Sequence, residues 1–157
     1  MEVLVLLGSS SDIEVSKACI DTLNEFSIEH KMVIASAHRT QELVEQYIKE
    51  AEDNGTKVII AMAGMAAHLP GVVSSKTTIP VIGVPLSSKN TGGLDALYSI
   101  VQMPAGYPVA TVAIDGSKNA ALLAVQIISN NRPELKNKLL SYREKMKQAV
   151  IKANKEI

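Results

Sequence analysis

Val58-Ile59-Ile60-Ala61-Met62-Ala63 is an unbroken apolar run, followed at once by Gly64-Met65-Ala66-Ala67-His68-Leu69-Pro70-Gly71. A short run rich in Val and Ile, with no polar alternation, reads as a strand buried on both faces, as in a parallel sheet. Runs of the same kind recur on either side of it: Val3 to Leu7, Met32 to Ala35, Val81 to Val84 and Val109 to Ile114. Helical patterns separate them. Val15, Ala18, Cys19, Thr22, Leu23 and Phe26 share one helical face. Leu43, Val44, Tyr47, Ile48 and Ala51 share another, which Asn54-Gly55 closes. The alternation predicts an α/β chain folded as a three-layer α/β/α sandwich on a parallel sheet, with right-handed crossovers. No internal repeat, low-complexity tract or linker interrupts it, so residues 1–157 read as one domain.

Beyond the fourth run the rhythm changes. Ser87-Ser88-Lys89-Asn90-Thr91-Gly92-Gly93 is a polar loop that either covers a site or simply connects elements. A short helix over Leu94 to Val101 follows, then a turn around Met103-Pro104-Ala105-Gly106 and a helix from about Asn119 to Ser129. Residues 131–157 form a C-terminal amphipathic helical extension after Pro133, with Leu135, Leu139, Tyr142, Met146 and Val150 as its apolar stripe. That stripe needs a surface, either on its own subunit or on a neighbour.

Composition narrows the function. Apolar residues make up 46% of the 157 and charged residues 20%, which is globular, not disordered. Lys+Arg and Asp+Glu number 16 each, so nothing overall selects nucleic acid or a membrane surface. From Arg132 onward eight basic residues face three acidic ones, the pattern of a solvated helix face. The single cysteine, Cys19, allows no internal disulfide and no cysteine-based metal site. No apolar run approaches the ~20 residues of a membrane span, and the N-terminus shows no basic leader, so a cytoplasmic placement is expected.

In an open parallel sheet the chemistry lies beyond the carboxyl ends of the strands. After the first run comes Gly8-Ser9-Ser10-Ser11-Asp12, whose hydroxyls and helix-start N–H groups suit a phosphate or carboxylate. Ser11 and Glu14 also have capping-box spacing, so the loop reads equally well as a helix cap. After the second run comes Ser36-Ala37-His38-Arg39-Thr40, in which Arg39 suits an anion and His38 is either a structural imidazole or an acid–base group. After the third run, Gly64 and the small residues beside it leave an open floor, and His68 is a second such imidazole. The loops after the first and third runs hold no carboxylate pair, which argues against a phospho-receiver. His30, His38 and His68 lack zinc-site spacing, and aromatics at 3% poorly supply a flavin site. Acid–base chemistry on a small phosphorylated substrate remains.

Seven segments in register resemble one family. They are Gly-Ser-Ser-Ser-Asp (8–12), Ser-Ala-His-Arg-Thr (36–40), Ala-Gly-Met-Ala-Ala-His-Leu-Pro-Gly (63–71), Gly-Val-Pro (83–85), Gly-Leu-Asp-Ala-Leu-Tyr-Ser-Ile-Val-Gln-Met-Pro (93–104), Pro-Val-Ala-Thr-Val-Ala-Ile (108–114) and Asn-Ala-Ala-Leu-Leu-Ala (119–124). Together they resemble the phosphoribosylaminoimidazole carboxylase catalytic-subunit family, in its 5-(carboxyamino)imidazole ribonucleotide mutase branch. The resemblance implies a flavodoxin-like catalytic domain assembled as a homo-octamer, with sites between subunits. It also implies a cofactor-free, metal-free isomerisation in purine biosynthesis, acting on a phosphoribosyl-imidazole. On that resemblance His38 and His68 are catalytic, His38 as the proton shuttle. Ser9, Ser11, Asp12, Ser36, Ala37 and Arg39 bind the ribose phosphate portion, while Gly64, Ala66, Ala67, His68 and Leu69 line the pocket for the carboxylate or CO2. Other readings are the CO2-dependent carboxylase branch and a non-catalytic module that binds phosphorylated nucleosides. Two departures stand out: Gln41 where the family commonly has Pro, and a short connection over 114–119.

Overall fold

In the computed structural model, which describes residues 1–156, five parallel strands form one sheet in the order β2-β1-β3-β4-β5. The strands are β1 (Val3–Leu7), β2 (His30–Ile34), β3 (Val58–Gly64), β4 (Val81–Leu86) and β5 (Ala110–Thr111). The helices are α1 (Ile13–Glu25), α2 (Gln41–Asp53), α3 (Leu69–Ser74), α4 (Leu94–Val101), α5 (Ser117–Ser129) and α6 (Pro133–Asn154). Ile157, the last residue of the expected extension, lies outside the described residues. The sheet is flavodoxin-like, with its topological switch between β1 and β3.

The apolar runs divide by alternation between two cores. Val3, Val5, Leu7, Val58, Ile60 and Met62 point to the side covered by α1, α5 and the start of α6. Leu4, Leu6, Ile59, Ala61 and Ala63 point to the side of α2, α3 and α4. In the register Val5 lies beside Ile60, which lies beside Ile82, so one core runs unbroken across the three central strands. Each fully buried Val, Leu or Ile contributes about 1.5–3 kcal/mol, which is why the centre needs no polar pairing. At Gly83, in the middle of β4, a Cβ would collide with Ile100 of α4 and Val109. The helix can lie against the strand because that side chain is missing.

The edge strands depart from expectation. The second run pairs as His30–Ile34, and it is not buried on both faces: Met32 and Ile34 are 40% and 42% exposed. As an edge strand it is covered by α2 on one side, while on the other Ser16 of α1 approaches it, its Oγ 3.3 Å from Met32 Sδ. The fifth run forms a regular strand over only Ala110–Thr111, although beyond it the Val112 and Asp115 N–H groups still donate to the Gly83 and Pro85 carbonyls of β4. The capping box forms at Ser9 and Asp12, not at Ser11 and Glu14. An N-cap must be extended; Ser9 is, with φ −154° and ψ 159°, whereas Ser11 already lies inside the short 3-10 turn Ser10–Asp12. Glu14 instead pairs with Lys17.

Three of the five residues of the α6 stripe find their surface on their own chain. Leu135 and Leu139 are buried, and Tyr142 stacks at a tilt on Phe26 with ring centroids 5.6 Å apart. Met146 and Val150 are exposed, because the helix runs past the end of α5. Cys19 is buried in the α1 face, and burial pushes its thiol up to about 12. Among the described residues no helix is long and apolar enough to cross a membrane.

Candidate functional site

Four loops meet where β1, β2, β3 and β4 end, around the switch point, and enclose a cavity of about 630 Å³. From the β1 loop Gly8, Ser9, Ser11 and Asp12 line it, and from the β2 loop Ser36, Ala37, His38 and Arg39. The β3 loop supplies Gly64, Met65, Ala66, His68 and Leu69. Every sequence-derived candidate except one therefore faces a single space. The exception is Ala67, which is 1% exposed and packs in the core on the α2–α3–α4 side. Leu86 at the end of β4 and Ser87 and Ser88 after it also line the cavity, without having been singled out as site residues. The rule that ligands sit beyond strand ends pointed to that loop; nothing in its composition separated a covering role from a plain connection.

Local hydrogen bonds set each group. Thr40 closes the β2 loop onto Ser36: its hydroxyl accepts from the Ser36 N–H at 2.9 Å, and its own N–H donates to the Ser36 carbonyl at 2.9 Å. In this role its side chain does not cap α2. The closed turn presents Ala37, His38 and Arg39 outward. Arg39 donates from Nε to Ser36 Oγ at 3.3 Å and from Nη2 to the Gly8 carbonyl at 3.4 Å, both long contacts. Much of its donor capacity is thus left for an anion.

Asp12 accepts from the Ser9 N–H at 2.9 Å, and the Ser11 hydroxyl lies 3.0 Å from both Asp12 Oδ1 and Ser9 Oγ. Burial raises the Asp12 carboxyl above its ordinary value of 3.8, against the lowering effects of the Ser11 hydroxyl, the Ser9 and Gly8 N–H groups and the Arg39 charge. A carboxyl raised in the folded state binds its proton more tightly there than in the unfolded chain. Its contribution to stability is therefore lost as pH rises from the ordinary value through the raised one, and the deficit persists above that. Asp12→Asn keeps an acceptor for the Ser9 N–H and cannot ionise. Its melting temperature relative to the unsubstituted protein should rise between about pH 3 and pH 7. Melts of both proteins across that range check this; a difference independent of pH would contradict it.

The two histidines, 30 positions apart, meet directly. His38 Nε2 lies 2.7 Å from His68 Nδ1, and the rings are nearly perpendicular with centroids 4.9 Å apart. One nitrogen must donate and the other accept, so the tautomer of each ring determines that of the other. His30 stays apart at the start of β2, its Nδ1 2.8 Å from the Ile28 carbonyl. Among the described residues no three His, Cys, Asp or Glu side chains gather as a metal site.

A Cβ at Gly64 would meet no atom of the chain closer than 3.5 Å, in keeping with an open floor at this point of the β3 loop. The left-handed residue of the loop is Met65, with φ 56°. The turn it makes carries the chain to His68, whose N–H donates to the Ala66 carbonyl at 2.8 Å.

The serine loop, the Arg39 guanidinium and a hydrogen-bonded imidazole pair thus sit together at the switch point of a 2-1-3-4-5 sheet, in an α/β protein whose cavity has the groups to bind an anion and to move protons. Comparison with known proteins narrows the class. The family described as AIR carboxylase matches residues 2–149, and the chain belongs to that family. It is 56% identical to the N5-carboxyaminoimidazole ribonucleotide mutase of Pyrococcus abyssi over 91% of this chain and 82% of that protein. It is 53% identical to the mutase of Saccharolobus solfataricus over 96% of this chain and 95% of that protein. The crystal structure of Treponema denticola PurE superposes with a TM-score of 0.91 at 35% identity, covering 99% of this chain and 97% of that one.

Proposed function

We propose that this protein is an isomerase of purine biosynthesis that converts 5-(carboxyamino)imidazole ribonucleotide to 5-amino-4-carboxyimidazole ribonucleotide. The observation that carries this is the His38–His68 pair, which shares one cavity with Arg39 and the serine loop in a chain so similar to named mutases. In this reading Arg39, Ser9 and Ser36 hold the phosphate, and Asp12 accepts from ribose hydroxyls. Ser11 and Ala37 complete that wall. Gly64, Ala66 and Leu69 form the small, largely apolar floor for the carboxylate, with Ala67 supporting it from the core behind.

The reaction needs no external oxidant, reductant or phosphate donor. The bond between the exocyclic nitrogen and the carboxylate carbon breaks, its electron pair stays on nitrogen, and nitrogen takes up a proton. The neighbouring ring carbon donates a pair to the carbon of the released CO2. That ring carbon then loses its own proton, which restores aromaticity. One proton is given and one is taken, so a single imidazole can serve both events; His38 is that group and His68 holds its tautomer. Confinement of CO2 beside the ring supplies much of the rate through proximity, and an imidazole acid–base adds about 10²–10⁴-fold.

The protein works in the cytoplasm as a homo-oligomer, an octamer by family resemblance. Leu94, Tyr98 and Val101 of α4, between 47% and 61% exposed, support association between copies. The deciding assay supplies the carboxyamino substrate with neither ATP nor bicarbonate. Formation of the ring-carboxylated isomer is the expected result. Turnover only from aminoimidazole ribonucleotide with added bicarbonate would assign the carboxylase reaction instead, and tight binding without interconversion would assign a binding module.

A further inference from the structure

Met65 is held in the left-handed region at φ 56°, lines the cavity beside Gly64, Ala66 and His68, and is nonetheless 64% exposed. These facts do not belong together in a purely structural residue. A glycine would make the same turn without the contact between Cβ and backbone that disfavours this region for other residues. A methionine that served packing would be buried, yet this one is missing from both cores. The strain is therefore offset by no packing, and residues held in such conformations cluster at sites where the geometry is used. The side chain is also the one long, flexible apolar group in the β3 loop, set among Ala63, Gly64, Ala66 and Ala67.

We infer that Met65 is a positioning residue whose thioether side chain covers the floor of the cavity and retains released CO2 there until the ring carbon captures it. The inference rests on the mutase reading. A polar side chain would bring water to the same spot, and no side chain would leave it open. An apolar, unbranched chain at the rim admits the substrate and then closes over a neutral molecule.

The test supplies substrate carrying 13C in its exocyclic carboxylate, in buffer containing unlabelled bicarbonate, with loss in the absence of enzyme subtracted. The unsubstituted protein should transfer most of the label to the ring-carboxylated product. Met65→Gly should melt at the same temperature or higher, and release label and decarboxylated aminoimidazole ribonucleotide about tenfold more per turnover. Met65→Leu, of similar volume and also apolar, should retain label as the unsubstituted protein does. Equal retention by Met65→Gly, equal leakage by Met65→Leu, or a lower melting temperature for Met65→Gly would each overturn the inference. Failure of the unsubstituted protein to make the isomer at all would instead overturn the mutase reading, so the two failures are distinguishable.

Discussion

Replacing His38 by Asn is expected to slow isomerisation by about 10²–10⁴-fold, the usual worth of a positioned imidazole acid–base. The melting temperature should hardly move. His38 is exposed, and apart from its 2.7 Å hydrogen bond to His68 it contributes nothing to either core. Asn keeps a donor and an acceptor near the ring's position but cannot carry a proton from one substrate atom to another. KM should change little, because the proposed function places the phosphate on Arg39 and the serine loop. His68→Ala should give a smaller loss, since it frees the tautomer of His38 without removing the shuttle. Steady-state kinetics with a thermal melt of each variant separates these outcomes. A His38→Asn protein that keeps most of its kcat would remove His38 from the chemistry. One that loses both activity and fold would show that the hydrogen bond to His68 matters to the architecture more than its exposure implies.

The central fold was legible because burial on both faces leaves a direct mark. Val58 to Ala63 has no polar alternation since both of its faces meet helices. The same logic misjudged β2: Met32 and Ile34 look like core residues in sequence, but position at the edge of a sheet is a property of strand order, which no local pattern carries. The site was legible for a related reason, since loops after strands converge at a switch point whatever their composition. Two of its features were not. The contact between His38 and His68 joins loops 30 residues apart, and only the side-by-side pairing of β1 with both β2 and β3 brings them within reach. The capping box moved from Ser11–Glu14 to Ser9–Asp12 because a cap depends on where the chain is still extended, and three successive serines offer several registers. That displacement matters for function. Asp12, which the family resemblance offered for ribose contact, is also a structural acceptor for the Ser9 N–H, so its carboxylate serves the loop before any ligand arrives.

Arg39→Met should raise KM by about 100-fold or more while kcat falls much less. A guanidinium gripping a phosphate makes charge-assisted hydrogen bonds worth about 1.5–3 kcal/mol each, and each 1.4 kcal/mol lost is about tenfold in affinity. The free protein should lose little stability, because the two contacts Arg39 makes are long, at 3.3 and 3.4 Å, and the side chain is exposed. Arg39→Lys should recover only part of the loss, since an ammonium restores the charge but not the planar fork. The substitution has a second consequence within the loop. The Arg39 charge is one of the influences lowering the Asp12 carboxyl, so its removal should push that carboxyl further up. The stability deficit of ionised Asp12 would then grow larger and go on developing to higher pH in Arg39→Met than in the unsubstituted protein. His38 and Arg39 are neighbours in the chain, yet they should separate cleanly in kinetics, His38 through kcat and Arg39 through KM. An Arg39→Met protein whose kcat collapses at unchanged KM would mean that the guanidinium acts only in the transition state, stabilising charge on the carboxylate as it moves, and the phosphate would then have to be held by the serine loop alone.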